Sequence, residues 1–172
     1  MAVNEPEHDF GRALSIDAEA IGQPGQRRFR LLVRSNAQAA SIWMEKQQLA
    51  SIGTWLNETC ERLDREHPTS EADVEPSTFG AIFDLEFRAS QIGLGYAESE
   101  DLFAIHAFDI EAQQGERPSF RTFLTRGQAR VVARKIESVV AAGRPICPLC
   151  SQPMEPEGHV CPRSNGHHPA TV

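Results

Sequence analysis

The chain has 172 residues, 40% hydrophobic and 24% charged, with a formal net charge of -7. This is the balance of a globular protein with room for one good core and a small appendage. It holds no apolar run near the roughly 18 residues of a membrane helix, its acidic start MAVNEPEHDF has no secretory h-region, and its acidic sum argues against broad phosphate-backbone binding, so a cytoplasmic protein with no membrane partner is expected.

Residues 1–9 read as a polar, flexible start. FGRALSIDAEAIG then reads as one strand, with Ile16, Ala18 and Ala20 alternating against Asp17 and Glu19. QPGQ is a tight reversal, because Pro24 presets one turn dihedral and Gly25 tolerates positive φ. RRFRLLVRS is a second strand, with Arg28, Arg30 and Arg34 on one face and Phe29, Leu31 and Val33 on the other. After the SNAQ turn, AASIWM is a third strand. The period then becomes helical. Leu49, Ile52, Leu56, Cys60 and Leu63 form one apolar stripe, interrupted by the helix-weakening Gly53. Residues 67–78 are acidic and proline-bearing, the composition of a flexible connection.

A second cycle follows. IFDLEFRASQIGLGY, DLFAIHAFDI and SFRTFL read as strands, with the loop AQQGERP before the last of them. TRGQARVVARKIESVVAAG is the second helix, buried through Ala129, Val132, Ala133, Ile136, Val139 and Val140. Thr125 and Gln128 have capping-box spacing, and Gly143 suits the residue just past the C-terminus. The two strand-to-helix junctions superpose, Trp43 to Phe123 and Gln48 to Gln128. The expected fold is therefore α+β. Two βββα units, 10–66 and 79–143, stand in a pseudo-twofold arrangement, with a mostly antiparallel sheet and two packing helices.

The tail, 144–166, has the sharpest chemistry, and 167–172 reads as flexible. Cys147-Pro-Leu-Cys150 is a CxxC knuckle, followed by His159-Val-Cys161. Residues two apart in extended chain point the same way, so His159 and Cys161 can present an imidazole and a thiolate together. A reducing compartment favours metal over disulfide for such a cluster. Cys147, Cys150, His159 and Cys161 make a closed Cys₃His set, the donor set of structural Zn²⁺. His167 and His168 compete with His159 for the fourth position. A catalytic zinc would keep an open position, and no HExxH or H-x-E…PCxxC frame is present, although Glu155 and Glu157 stand in the loop.

With these pieces in view, the chain resembles the DUF3090 proteins, an uncharacterised bacterial family. The resemblance spans about residues 10–166. It rests on Ile21-Gly22-Gln23-Pro24-Gly25-Gln26-Arg27, on Met44-Glu45-Lys46-Gln47-Gln48, and above all on Ala141-Ala142-Gly143-Arg144-Pro145 leading into CPLC and GHVCPRSNG. Residues 67–80 depart from the pattern, as does Ser151, where such knuckles usually carry glycine. The resemblance implies a zinc-binding protein of unassigned function and supplies no reaction.

Elsewhere no P-loop, no GxSxG elbow and no dinucleotide fingerprint occurs, so no catalytic residue and no small-molecule cofactor are expected. His106 reads as a strand residue and Cys60 as a small buried hydrophobe. Arg28, Arg30 and Arg34, with the helical stripe Arg126, Arg130 and Arg134, are candidates for an anion- or partner-binding surface, although a solvated face is the plainer reading. The leading expectation is a non-enzymatic binding or adaptor protein with an unidentified protein partner and a structural zinc knuckle. Single-stranded nucleic-acid binding through the arginines is the alternative, and a zinc hydrolase ranks third.

Overall fold

The computed structural model describes residues 5–112, 117–143, 147–152, 154 and 159–163. Nine elements follow in chain order among them. They are β1 (His8–Arg12), β2 (Ser15–Ile21), β3 (Arg28–Arg34), β4 (Ala39–Met44), α1 (Lys46–Glu66), β5 (Leu85–Ala97), β6 (Leu102–Asp109), β7 (Phe120–Leu124) and α2 (Arg126–Ala141). The seven strands form one mixed sheet in the order β1-β7-β6-β5-β4-β3-β2. Four neighbouring pairs are antiparallel, while β4–β5 and β1–β7 are parallel.

The expected first strand is broken in two. Gly11 takes φ +57, its amide held by Asp9 Oδ1 at 2.9 Å. Two residues later the Ala13 N–H donates to Phe123 O of β7, and the next amide, Leu14 N–H, donates to Arg34 O of β3. Consecutive amides thus face different strands. β1 and β2 occupy opposite edges of the sheet although two residues separate them, so the sheet curls until its edges meet. Strand β5 makes a comparable change of partner. Leu85–Arg88 pair with β4, and an irregularity at Ala89/Gln91 precedes the run that pairs with β6. At the entry to β1, Glu7 N–H and His8 N–H donate to Pro118 O and Ser119 O at 2.9 Å.

The alternation read from sequence decides the core. Phe29, Leu31 and Val33 of β3, Ala40, Ile42 and Met44 of β4, and Phe103, Ile105 and Ala107 of β6 point inward. They share one cluster with Leu49, Ile52, Leu56, Cys60 and Leu63 of α1 and with Ala129, Val132, Ala133 and Ile136 of α2. Gly53, which costs α1 about 1 kcal/mol against alanine, has its reason here. A Cβ at this position would lie 2.6 Å from Ile136 Cγ2, so its absence lets the two helices approach.

Both helices start in the same way. Glu45 N–H donates to Gln48 Oε1 at 2.8 Å, and Thr125 N–H donates to Gln128 Oε1 at 3.0 Å. Each glutamine then reaches a point where the chain changes strand partner, Gln48 Nε2 donating to Ser90 O of β5 at 3.1 Å and Gln128 Nε2 to Ala13 O, between β1 and β2, at 2.8 Å.

The segment 67–78, expected as a flexible connection, is irregular but tied down. Arg126 donates to His67 O and Arg130 to Glu71 O, while Ser77 N–H donates to Ser15 Oγ. Gly127 makes room for it, since a Cβ there would lie 2.2 Å from Ala72 O. No helix among the described residues is long and apolar enough to cross a membrane.

Candidate metal centre

The knuckle is closed by two backbone hydrogen bonds. Ser151 N–H donates to Cys147 O, and Cys147 N–H donates to Gln152 O, both at 2.9 Å. The amides of Cys150 and Leu149 point at the Cys147 sulfur and hold its thiol below the ordinary value. His159 lies at an isolated β-bridge, and Cys161 follows two residues later. Arg163 donates to Leu149 O at 3.2 Å and so ties the second ligand pair to the knuckle. Cys147, Met154 and Cys161 are buried in a small cluster separate from the main core.

The four ligand atoms lie within 4.8 Å of one another. Cys147 Sγ and Cys161 Sγ are 3.7 Å apart, and Cys150 Sγ stands 3.6 Å from His159 Nε2. Two sulfurs about 2.3 Å from one zinc at the tetrahedral angle are separated by about 3.8 Å, and a sulfur–nitrogen edge is about 3.6 Å. A disulfide needs about 2.05 Å, and all four cysteines are free thiols. The cluster therefore has the size and donor chemistry to hold a metal ion. His167 and His168, and the loop carboxylates Glu155 and Glu157, lie outside the described residues.

Ser151 adopts φ +59, the left-handed region that glycine fills without cost. The side chain there costs about 1 kcal/mol. Because closing the knuckle is coupled to metal binding, Ser151→Gly is expected to tighten metal affinity roughly fivefold, measured by competition with a chromophoric chelator.

The two arginine sets have different surroundings. Arg126 is 3% exposed, donates to both oxygens of Asp101 at 2.9 and 3.0 Å, and pairs with Asp64 at 3.2 Å. Arg130 pairs with Asp73 and Asp64, and Arg134 pairs with Asp73. The helical stripe is thus neutralised by the chain's own carboxylates. On β3, Arg30 pairs with Glu19 and donates to Ser41 Oγ at 3.3 Å. Arg34 donates to Ser77 Oγ and to Thr78 O. Arg28 is exposed and lies 4.2 Å over the Trp43 ring.

Aromatic partners for the arginines are scarce within their own strand but arrive from elsewhere. Arg30 also contacts Trp43 and Phe83, and Arg34 contacts Phe79, whereas Arg121 contacts Phe123 of its own strand. Trp43 is thereby flanked by two guanidiniums, and its Nε1–H donates to Glu86 at 2.6 Å. No sequence spacing announced this arrangement, because β3, β4 and the segment before β5 meet only in the sheet.

His106 is half-buried, and burial with the neighbouring Arg121 holds its imidazole below the ordinary value, against the opposing pull of Asp9. Burial pushes the Cys60 thiol up to about 11, in keeping with an inert side chain in the helix stripe.

A comparison with curated proteins and one with solved structures give no match. A family model, described as a protein of unknown function (DUF3090), matches residues 8–161, from the first residue of β1 to the last of the four ligands. The match takes in both the sheet-and-helix core and the Cys₃His cluster, and the chain belongs to the DUF3090 family.

Proposed function

We propose that Cys147, Cys150, His159 and Cys161 hold a structural Zn²⁺ that clasps the C-terminal segment of a non-enzymatic binding module. One observation carries this reading: the S–S and S–N separations of 3.7 and 3.6 Å match the edges of a zinc tetrahedron. Four protein ligands fill the shell and leave no position for substrate, which favours a structural over a hydrolytic role. A thiolate-rich centre suits a reducing compartment, in support of cytoplasmic residence. Protein purified under reducing conditions without added metal should carry about one zinc per chain by elemental mass spectrometry. Zinc-free, folded protein would overturn the assignment.

We also infer that the core is two βββα units in a pseudo-twofold arrangement. Two matched sets of contacts support this. β4 runs parallel to the first part of β5, with Trp43 opposite Arg88, and β7 runs parallel to β1, with Phe123 opposite Arg12. In each case the third strand of one unit borders the first strand of the other, as a twofold requires. The paired glutamine contacts, Gln48 to Ser90 and Gln128 to Ala13, repeat the correspondence. A duplicated rigid sheet of this kind is a platform for a protein partner. A pulldown with mass spectrometry, using the zinc-loaded chain, tests that role.

The nucleic-acid alternative draws on the first arginine set, where guanidiniums and aromatic rings adjoin. Single-strand affinity that falls steeply with salt and is lost in Arg28→Ala would favour it.

A further inference from the structure

The start of α1 borders a cleft of about 580 Å³, within the size range of small-molecule sites. Arg27, Arg28, Lys46 and Arg88 line it, and Glu45 is the carboxylate on its wall. Among the described residues, four cations against one carboxylate leave three positive charges, in a chain whose formal net charge is -7. The one ion pair among them joins Arg88 to Glu45. Among the described residues, Arg27, Arg28 and Lys46 form no ion pair. Among the described residues, the Arg27 Nε is buried and has no hydrogen-bond acceptor. A buried guanidinium donor without an acceptor carries a desolvation cost, so Arg27 is a cation that its own surroundings leave incompletely satisfied.

The remaining walls are apolar. Phe29 and Met44 are core residues at the ends of β3 and β4, and Trp43 offers ring surface beside Arg28. The position of the cleft is set by the backbone. Gly22 at φ +111 and Gly25 at φ +89 turn the chain tightly, Gln26 N–H donates to Gln23 O at 2.9 Å, and Arg27 and Arg28 follow directly. The parallel β4–β5 pairing sets Arg88 beside Trp43. On the far side Gly143, just past α2, leaves room for Lys46, since a Cβ there would lie 3.1 Å from Lys46 Nζ. Concave low-dielectric walls focus the field of such charges on a bound anion.

We propose that this cleft binds a small organic phosphate of mononucleotide size, its phosphates held by Arg27, Arg28 and Lys46 and its organic part resting on the Phe29–Trp43–Met44 wall. Glu45 holds Arg88 in place of a phosphate until the ligand arrives. The proposal is independent of the zinc reading, because the ligating cysteines lie outside the cleft lining.

The test is calorimetric titration of the full zinc-loaded chain with ADP, pyrophosphate, adenosine and a single-stranded oligonucleotide. ADP is expected to bind most tightly, pyrophosphate more weakly, and adenosine not at all. Lys46→Gln and Arg28→Gln, both at exposed positions, should each weaken ADP at least tenfold, as loss of a charge-assisted hydrogen bond does. Arg62→Gln on the exposed face of α1 should leave binding unchanged, and all three variants should retain zinc. Three outcomes overturn the proposal: no binding of ADP or pyrophosphate at millimolar concentration, adenosine binding as well as ADP, or affinity confined to the oligonucleotide.

Discussion

Cys161→Ser is expected to release the metal and leave the core standing. Cys161 and Cys147 are almost fully buried and lie 3.7 Å apart, so serine at either position removes a thiolate that the other three ligands cannot replace. Structural zinc sites contribute about 10–16 kcal/mol of apparent binding free energy at neutral pH, and metal content should fall from about one per chain to a trace. The tail should then become open to limited proteolysis. The core should not follow. The cluster of Cys147, Met154 and Cys161 is separate from the cluster that unites both helices with the sheet. Thermal unfolding of the core should therefore change by no more than about 0.5 kcal/mol, the usual effect of a change remote from it. His159→Ala should lose metal in the same way, and His167→Ala should keep it. Metal retained in His159→Ala and lost in His167→Ala would assign the fourth ligand to His167. A collapse of the core in Cys161→Ser would show the tail to be part of the main fold.

Arg126→Ala should be the most damaging single change in the helix stripe. Its guanidinium is the common partner of Asp64, Asp101 and the His67 carbonyl, and removal takes the paired cation from Asp101 and leaves Asp64 to Arg130 alone. Breaking a buried pair costs about 3–5 kcal/mol. Both aspartates are 40% exposed at the side chain, so water repays part of it and the lower end, about 3 kcal/mol, is expected. For a chain of this size that lowers the unfolding midpoint by about 6–12 °C. Arg134→Ala removes a pair that is 54% exposed on the arginine side and should cost no more than about 1 kcal/mol.

The same site should make stability depend on acid. Burial alone would raise the Asp101 carboxyl, but the Tyr96 hydroxyl and the Arg126 guanidinium outweigh it and hold it below its ordinary value of 3.8. Arg130 and Arg134 hold Asp73 below it as well. A carboxyl with a lowered folded value stabilises the fold above its unfolded value, and that contribution is lost as pH falls through the folded one. Stability should thus be level above about pH 5 and decline below the ordinary carboxylate value. In Arg126→Ala the decline should be shallower. An unchanged acid limb would show that Asp101 is held by other groups.

Where sequence and structure agree and diverge has a consistent physical basis. Periodicity is local, so the alternation of Phe29, Leu31 and Val33 and the stripes of α1 and α2 were legible residue by residue, and all of them enter one core except Val139 and Val140, which pack against it partly buried. Ligand spacing is local too. CxxC and HxC, with Cys150 and His159 nine residues apart, need little beyond a short loop to converge, and the four donors do lie within 4.8 Å of one another. The break in the first strand was not legible, because Ala13 and Leu14 look like strand residues and only their amide partners, on β7 and β3, part them. The segment 67–78 has the composition of a flexible link, yet its carbonyls and Asp73 meet Arg126, Arg130 and Arg134 from a helix more than fifty residues away.

The amino-acid order by itself thus determined both helices, most of the strands, their buried faces and the donor set of the candidate metal centre, all of which depend on residues near one another in the chain. The tertiary structure alone decided which charges are answered. It closed the sheet through β1 and β2, neutralised the helical arginines with distant aspartates, and gathered Arg27, Arg28, Lys46 and Arg88 around a cleft beside Glu45. The reason is that Coulomb and hydrogen-bond energies follow distance in space, and strand pairing across the sheet sets those distances between residues that are remote in sequence.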